Sequence, residues 1–420
     1  MDCCDVVSNQ NIKNNLSESK ENDLMNLLSC YFCQSLFTRS ILFSFFSVIL
    51  LSNTVAGPRE QAKRIHDRLV GIPPTAETLD VMASKIINGD AIGAAYQAME
   101  NKIFFNVTLK NHVMPWTNEA HTVFADLNDY VATVIGIVRD DIAFTEILSG
   151  DIIYIGSPAS VSTPYSHTDN IHYQELERNQ VDLSDPTNLF ATTQSGLLDT
   201  QLSAEDAAGI ITTRANAEAF FKAGTNRAAW RDLGLNHLCK DMEELHDITL
   251  TSDRIRQDVT RSPGGDSSIF LNSCVGCHNG MDPLAQAFAY LNFDEELNRL
   301  VHTPGQVQPK YLINAGTFPK GYVTKDNRWD NYWRTGKNSL LGWRGANSGG
   351  FGPKSLGQEV ANSRAFSECH VTQVFTKICL REPVSLLDQS EIQRISNVFE
   401  TNNYSMKRVF AEVATACMGD

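Results

Sequence analysis

The 420-residue chain lacks several features that mark large classes of protein. It has no basic excess: 35 Lys and Arg stand against 49 Asp and Glu, a formal net charge of −14. Because nucleic-acid binders present a basic face, this balance argues against a nucleic-acid partner. The chain also lacks a collagen period, a visible internal repeat and the many long apolar runs of a polytopic membrane protein. Its hydrophobic content of 42% excludes a largely disordered chain, so an ordinary globular protein is expected.

One short apolar run lies near the N-terminus. Residues 41–51 (ILFSFFSVILL) follow Arg39 and precede the small residues 52–56 (SNTVA). A basic flank, a short apolar core and small residues before a cleavage point are typical of a secretory signal peptide. The run is too short to cross about 30 Å of hydrocarbon. We therefore predict that residues 1–56 are a signal peptide, with Met25 as a possible true start. The mature protein is expected in the periplasm or otherwise exported, with no permanent membrane span.

Two of the ten cysteines belong to a motif. Cys274-Val275-Gly276-Cys277-His278 has the C-x-x-C-H spacing of covalent c-type haem attachment. Two thiols three residues apart on one helical turn can reach the two vinyl groups at one porphyrin edge, and the adjacent histidine can then bind iron. We predict one covalently attached haem c as the cofactor, with Cys274 and Cys277 as thioethers and His278 as the proximal ligand of the haem iron.

Two other interpretations of the cysteine pair are weaker. A thioredoxin-like pair follows a strand, whereas the flanks of this motif read as helical. A structural zinc site needs a second pair of ligands at metal spacing, and the sequence shows none.

The run from Cys274 to Asp294 (CVGCHNGMDPLAQAFAYLNFD) resembles uncharacterised bacterial families of exported mono-haem cytochrome c-like proteins, the planctomycete-type cytochrome proteins. In those families C-x-x-C-H is followed by a Met/Ile-Asp-Pro element, a short helix and a Phe-Asp end. Residues 363–375, with the later 380–383 (LREP), are similar to a following helix. Residues 64–77 weakly resemble the helical domain that precedes the motif. The resemblance implies a haem-binding, electron-carrying protein that meets redox partner proteins, and it brings no substrate with it.

The predicted fold is mainly α. We expect a helical domain of unknown role over residues 57–250, followed by a cytochrome c-like haem domain with long loop insertions over residues 251–420. Residues 59–69 have an amphipathic pattern that stops before Gly71, and Thr75 is a plausible N-cap for the next helix.

Three further segments carry predictions of secondary structure. The apolar, β-branched segment 128–139 could be a helix or a strand. Residues 151–155 are the best candidate for a short strand, and a polar helix is expected from Asp253 onward.

The sequence does not decide which residue is the sixth iron ligand. Met281 follows His278 by three residues and is expected to pack under the ring on the proximal side. His370, Met406 and Met418 lie further along and could cover the distal face, and an open distal site is a further possibility.

The four remaining mature cysteines form an even set in an oxidising compartment. If residues 365–380 form one helix, Cys369 and Cys379 are about 15 Å apart and cannot be bridged. That leaves Cys369 with Cys239 or Cys417, and Cys379 with the other. Four buried thiols are the alternative.

Aromatic residues cluster in a Gly- and Asn-rich stretch over residues 315–354, namely Trp329, Tyr332, Trp333 and Trp343. They could form a lid over the haem or a sugar-binding platform. The interpretation we favour is a small aromatic core under a long loop.

Three functions follow from these features. The leading one is an exported c-type cytochrome that transfers single electrons through one haem, and an electron carrier is favoured over a catalyst. The alternative is a haem-dependent, peroxidase-like oxidoreductase with an open distal iron site, because the chain is long for a simple carrier. In a third, the N-terminal helical domain docks the cytochrome to a larger assembly.

Overall fold

Helices dominate the part of the chain that can be described. The computed structural model of the protein describes residues 56–222 and 224–419. Among these residues helices account for 52% and strands for 7%, which confirms the prediction of a mainly α fold. The predicted signal peptide, residues 1–56, lies outside the described residues except for Ala56, and it stays a prediction.

The α-helices follow one another along the chain with short connections. Before residue 250 they are α1 Pro58–Val70, α2 Ala76–Ile87, α3 Ala91–Met99, α4 Lys110–Val113, α5 Asp129–Arg139, α6 Glu146–Ser149, α7 Ile171–Arg178, α8 Arg214–Phe220, α9 Arg227–His237 and α10 Met242–Leu245. After it they are α11 Ser267–Ile269, α12 Val275–Ala285, α13 Gly352–Ala361, α14 Arg364–Cys379, α15 Leu386–Thr401 and α16 Met406–Ala416.

Shorter elements connect these helices. Single 3₁₀ turns occupy Met114–Thr117, Gly209–Thr212, Pro263–Gly265, Gln286–Phe288, Pro309–Leu312, Tyr332–Arg334 and Lys337–Leu341, and π turns occupy Phe104–Leu109 and Phe270–Cys274. In the described part of the chain six strands form three antiparallel pairs, which are β1 Ile153–Gly156 with β2 Leu189–Thr192, β3 Leu291–Asp294 with β4 Arg299–His302, and β5 Arg328–Asp330 with β6 Gly349–Phe351. In the first pair Ile153 lies opposite Thr192.

Local sequence signals explain the first two helices. The amphipathic pattern of residues 59–69 is confirmed by α1, which ends at Gly71 with a φ of 79°, a conformation that glycine adopts without a Cβ penalty. Thr75 is the N-cap of α2, because its side chain accepts a hydrogen bond from the backbone N–H of Thr78.

The ambiguous segment 128–139 forms α5. Asn128 caps it by accepting a hydrogen bond from the N–H of Val131, and every residue of the helix is buried. A helix buried on all sides has no polar stripe, which is why its period could not be read from the sequence. The strand expected over residues 151–155 is confirmed by β1, which runs two residues later at its start and one at its end.

The polar helix expected from Asp253 is wrong. Residues 251–262 form turns and one isolated bridge, between Arg256 and Tyr322. Arg254 and Arg256 are both buried, so two side chains that read as a solvated helix face instead point into the protein.

Two groups of helices pack around a shared core and are joined by further helices. Helices α1 to α3 pack on one another, as do α14 to α16, and α16 also contacts α1 and α3. Helix α9 contacts both α12 and α14, so it links the motif-bearing helix to the C-terminal group. No helix in the described part of the chain is long and apolar enough to cross a membrane.

Gly57–Asp420 form one compact unit. Its apolar core includes residues from α1 to α16, so elements on both sides of residue 250 contribute to it. The assignment of separate roles to residues 57–250 and 251–420 stays a prediction.

Candidate functional site

The C-x-x-C-H motif lies within a continuous helical stretch, residues 267–288, which we call the motif helix. Asp266 caps its start by accepting a hydrogen bond from the N–H of Ser268. A π turn ends at Cys274, and α12 begins at the next residue. Such π turns inside helices occur frequently at functional sites.

The structure brings the three predicted site residues to one face of this helix. At about 100° per residue, Cys274, Cys277 and His278 fall within an arc of about 100°. Cys274 is buried and Cys277 is partly exposed, with its Sγ 3.5 Å from the carbonyl oxygen of Met242. The spacing along the helix face is the one that two thioether bonds to a single porphyrin edge use, and in this structure Cys274 is disulfide-bonded.

The opposite face of the motif helix is closely packed. A Cβ on Gly276 would lie 2.5 Å from Nε2 of His246, and a Cβ on Gly280 would overlap the indole of Trp333. The loop that carries His246 is bound to the helix as well, because the N–H of Asp247 donates to the carbonyl of Gly276. The two motif-helix glycines are therefore sites of close approach.

The aromatic cluster belongs to this packed face. Trp329 and Trp333 are buried, and the rings of Trp333 and Trp230 lie 5.5 Å apart. Trp343 donates its indole N–H to the carbonyl oxygens of Trp333 and Asn338. The indoles of Trp329 and Trp333 are buried and cannot offer a flat platform to a sugar, whereas Tyr332 and Trp343 are partly exposed. Trp333 lies behind the helix face that carries the cysteines. These contacts support the aromatic core over the lid and the platform.

His278 contacts a carboxylate that the sequence analysis did not assign to the site. Its Nδ1 lies 3.1 Å from Oδ1 of Asp282, one helical turn later. Since an ionised carboxylate only accepts, Nδ1 carries the proton and Nε2 keeps the lone pair that could bind a metal. This tautomer is assigned from the hydrogen bond. The signal in the sequence was the four-residue spacing between His278 and Asp282.

Asp282 is fully buried at the centre of an ion-pair network. Arg227 donates through Nε to Oδ1 at 2.7 Å and through Nη2 to Oδ2 at 3.0 Å. The backbone N–H of Arg256 donates to Oδ2 at 3.2 Å. Burial alone would raise the pKa of the Asp282 carboxyl, but Arg227, His278 and Arg256 outweigh it and hold the pKa well below its ordinary value.

A second carboxylate completes the network. Asp258 accepts two hydrogen bonds from Arg227, at 2.7 and 3.0 Å. Burial would raise its pKa, and the contacts with Arg227 lower it below the ordinary value. Arg227 therefore bridges Asp258 and Asp282. This bridge fixes the position of the Asp282 carboxylate, to which His278 is hydrogen-bonded.

A cleft of about 420 Å³ lies along the N-terminal part of the motif helix. Phe270 and Leu271 of the helix line one side, and Phe318 and Tyr322 are also in its lining. The guanidinium of Arg261 lies 4.8 Å from the ring centre of Phe270 and 4.4 Å from that of Phe318. The cleft also includes Lys320, so it combines aromatic walls with two cations.

The residues proposed from the sequence as sixth ligands do not line the cleft along the motif helix. His370 is buried among Trp116, Phe144 and Phe366, and its Nε2 lies 3.2 Å from Nδ1 of His237. Burial lowers the pKa of His370 well below its usual value, and His237 and His112 lower it further.

The methionine candidates are placed differently from one another. Met406 is buried at the start of α16, and Met418 follows that helix with its carbonyl bound by Arg64. Met281 is buried on the motif helix itself, and its packing under a haem ring stays a prediction.

Outside the motif, the four cysteines of the described residues form two disulfides. Cys239 is bonded to Cys369, and Cys379 to Cys417. This is one of the two pairings that the helix geometry had left open, and it replaces the alternative of four buried thiols.

The residues present fit haem c once the disulfide at Cys274 is reduced to a thiol. The two cysteines and the histidine share a face, Nδ1 of His278 is already engaged, and an aromatic cleft with cations lies alongside. Within the described residues no group of three or more His, Cys, Asp and Glu could hold a metal ion by itself. A haem iron needs only one or two protein side chains, since the porphyrin supplies the other nitrogens.

Comparisons with known proteins found no relative. No family model matches the chain, and no curated protein and no solved structure matches it. The likeness of residues 274–294 to the cytochrome c-like families therefore enters only as support for a proposal.

Proposed function

We propose that the chain is an exported c-type cytochrome that transfers single electrons to and from redox partner proteins through one haem c. Cys274 and Cys277 would hold the haem by thioether bonds, and His278 would bind its iron. The observation that carries the proposal is the shared helix face of these three residues, with His278 oriented by Asp282. When bound, haem c supplies a one-electron centre.

Other residues of the chain have supporting roles. Phe270, Phe318 and Tyr322 would shield one edge of the cofactor from water, and Arg261 and Lys320 in the same cleft would pair with its carboxylates. The packed glycine face of the motif helix holds the attachment residues rigid, so a change of iron charge would cause little rearrangement.

Export is supported by the disulfides. Bonds such as Cys239–Cys369 and Cys379–Cys417 persist in oxidising compartments, and covalent haem is attached outside the cytoplasm. The apolar run at residues 41–51 and the resemblance of residues 274–294 to exported cytochrome c-like families agree with this.

Two observations favour the second candidate, a peroxidase-like oxidoreductase with an open distal site. His370, Met406 and Met418 have their contacts in the core and in the C-terminal helices. A ligand histidine that donates to a carboxylate is also more basic, which stabilises highly oxidised iron.

The attachment can be tested by replacing Cys277 with Ala. The protein should be produced by secretion in a bacterial host that matures c-type cytochromes, and haem should be detected on a denaturing gel stained for peroxidase activity. Wild type should carry covalent haem, and Cys277→Ala should lose stable covalent haem, because only the thioether through Cys274 could still form and it would hold the porphyrin edge at one point. The matched control is Ser273→Ala, an exposed position on the same helix, which should keep wild-type haem. A wild type without covalent haem, or a Cys277→Ala variant with full haem, contradicts the proposal.

An optical spectrum separates the two candidates. A reduced low-spin c-type α band that carbon monoxide leaves unchanged identifies an electron carrier. A high-spin spectrum that shifts with carbon monoxide or peroxide identifies the open-site oxidoreductase.

A further inference from the structure

The side chain of Asp282 makes its hydrogen bonds with His278 and with two arginines from other parts of the chain. It is 0% exposed and connects the imidazole of His278 with Arg227 and with the backbone of Arg256. We propose that Asp282 is a positioning residue that fixes the proximal imidazole and, through its charge, lowers the reduction potential of the haem iron. This inference rests on the proposed function.

The orientation follows from the helix geometry. His278 and Asp282 are four residues apart, so their side chains are stacked on neighbouring turns. With Nδ1 held 3.1 Å from Oδ1 of Asp282, the ring cannot rotate without losing a charge-assisted hydrogen bond. Nε2 lies across the ring from this bond and is therefore the atom turned away from Asp282.

The effect on the iron follows from the charge of the acceptor. An ionised carboxylate is a stronger acceptor than a backbone carbonyl, so it shifts more electron density into the imidazole. A more electron-rich ligand stabilises oxidised iron relative to reduced iron, which lowers the reduction potential.

The surrounding network keeps this carboxylate ionised and in place. Arg227 contacts both of its oxygens, and Asp258 holds Arg227 from the other side. Arg256 is also buried, with Nε 4.0 Å from Oδ2 of Asp282. Two arginines thus balance two carboxylates, the condition under which a buried ion cluster can stay charged.

The test compares Asp282→Asn with Asp258→Asn. Both variants remove one negative charge from the same network, but only Asp282 contacts His278. Asp282→Asn should shift the equilibrium between oxidised and reduced haem at least tenfold toward the reduced form, which is 59 mV for one electron. Asp258→Asn should shift it by less than threefold. Equal shifts in the two variants, or no shift in Asp282→Asn, overturn the inference.

A second measurement reports the iron–histidine bond directly. Resonance Raman spectra of the reduced protein, recorded within picoseconds of photodissociating the sixth ligand of the haem, either the protein's own or added carbon monoxide, should show the iron–histidine stretching band at a lower frequency in Asp282→Asn than in wild type. Asp258→Asn should leave the band in place. An unchanged band in Asp282→Asn contradicts the inference while leaving the proposed function intact.

If Asp282→Asn fails to fold, the iron–histidine band of the wild-type protein alone tests the role of Asp282. This band should lie above that of c-type cytochromes whose proximal histidine donates to a backbone carbonyl, and a band at their frequency contradicts the inference. A wild type that carries no covalent haem refutes the proposed function itself, so the two failures are distinguishable.

Discussion

At the scale of single residues, Gly280 shows how little space surrounds the motif helix. Its Cα faces the indole of Trp333, whose ring is fully buried and packs against Trp230. The position requires glycine because a methyl group there would overlap the indole. The packing of the helix therefore depends on residues that carry no chemistry.

We expect Gly280→Ala to lower the free energy of unfolding by about 1–3 kcal/mol, the usual cost of overpacking a core. Urea unfolding followed by tryptophan fluorescence measures it, and the shift of Trp333 should also change the native emission. The control is Gly316→Ala, where an added Cβ would meet nothing within 4 Å. If the two variants unfold at the same urea concentration, the proposed contact is absent.

Some residues of the candidate site could be predicted from the sequence, and others could be identified only in the structure. Cys274, Cys277 and His278 are visible because their spacing is local, and the haem that they imply stays a prediction. Asp282 is four residues from His278, but whether such a carboxylate is buried or solvated depends on its partners. Those partners, Arg227 and Arg256, lie 55 and 26 positions earlier in the chain, so only the folded structure brings them together.

At the scale of elements, the two disulfides fix the ends of helices. Cys379 is the last residue of α14 and Cys417 follows α16, so their bond ties together two helices that already pack on each other. Cys239 follows α9 and bonds to Cys369 within α14. The helix spacing excluded a Cys369–Cys379 bond from the sequence alone. Choosing between the two remaining pairings required knowing that α14 meets α9 and α16 at different points.

Removing the second disulfide should measurably destabilise the protein. The double variant Cys379→Ser, Cys417→Ser should lose about 2–4 kcal/mol of unfolding free energy, because the bond restricts a loop of intermediate length in the unfolded chain. Chemical unfolding of oxidised wild type and the double variant gives the value, and the wild type in reductant is a second comparison. Peptide mapping without reduction should recover Cys379 linked to Cys417, and a different linkage contradicts the assignment.

In residues 251–262 the sequence pattern does not predict the secondary structure correctly. Their polar sequence favours a solvated helix, yet Arg254 donates to the carbonyl of Arg328 and stacks on the ring of Tyr322. Arg256 stacks on Tyr311. In residues 251–262, contacts with residues distant in the sequence outweighed the local preference for a helix. In α1 and α2 the capping signals of the sequence agree with the fold.

At the scale of the whole molecule, buried neutral histidines make the fold sensitive to acid. Burial lowers the pKa of His237 to about 3, and it lowers the pKa of His370 as well. An unfolded histidine binds a proton below pH about 6.5. Between pH 6.5 and 3 the unfolded state therefore binds more protons than the native state, so stability is complete above this window and is lost as the pH falls through it.

We expect the unfolding free energy to fall steadily between pH 6.5 and 4.5, before most free carboxyls titrate. His237→Gln should reduce this slope, because one group that titrates only in the unfolded state is gone. His121→Gln, at an exposed position, should leave the slope as in wild type. Urea unfolding at several pH values measures all three proteins, and equal slopes for wild type and His237→Gln contradict the prediction.

Helix α9 is anchored at both of its ends. Its first residue, Arg227, grips the carboxylate behind His278, and its last, His237, contacts His370 beside the Cys239–Cys369 bond. An α-helix of this length is a stiff rod of about 15 Å between those residues. The candidate haem site and the histidine cluster are thus held at a constant separation. A tilt of α9 at one end would displace the side chains that contact its other end. The candidate haem site and the histidine cluster should therefore lose their packing together.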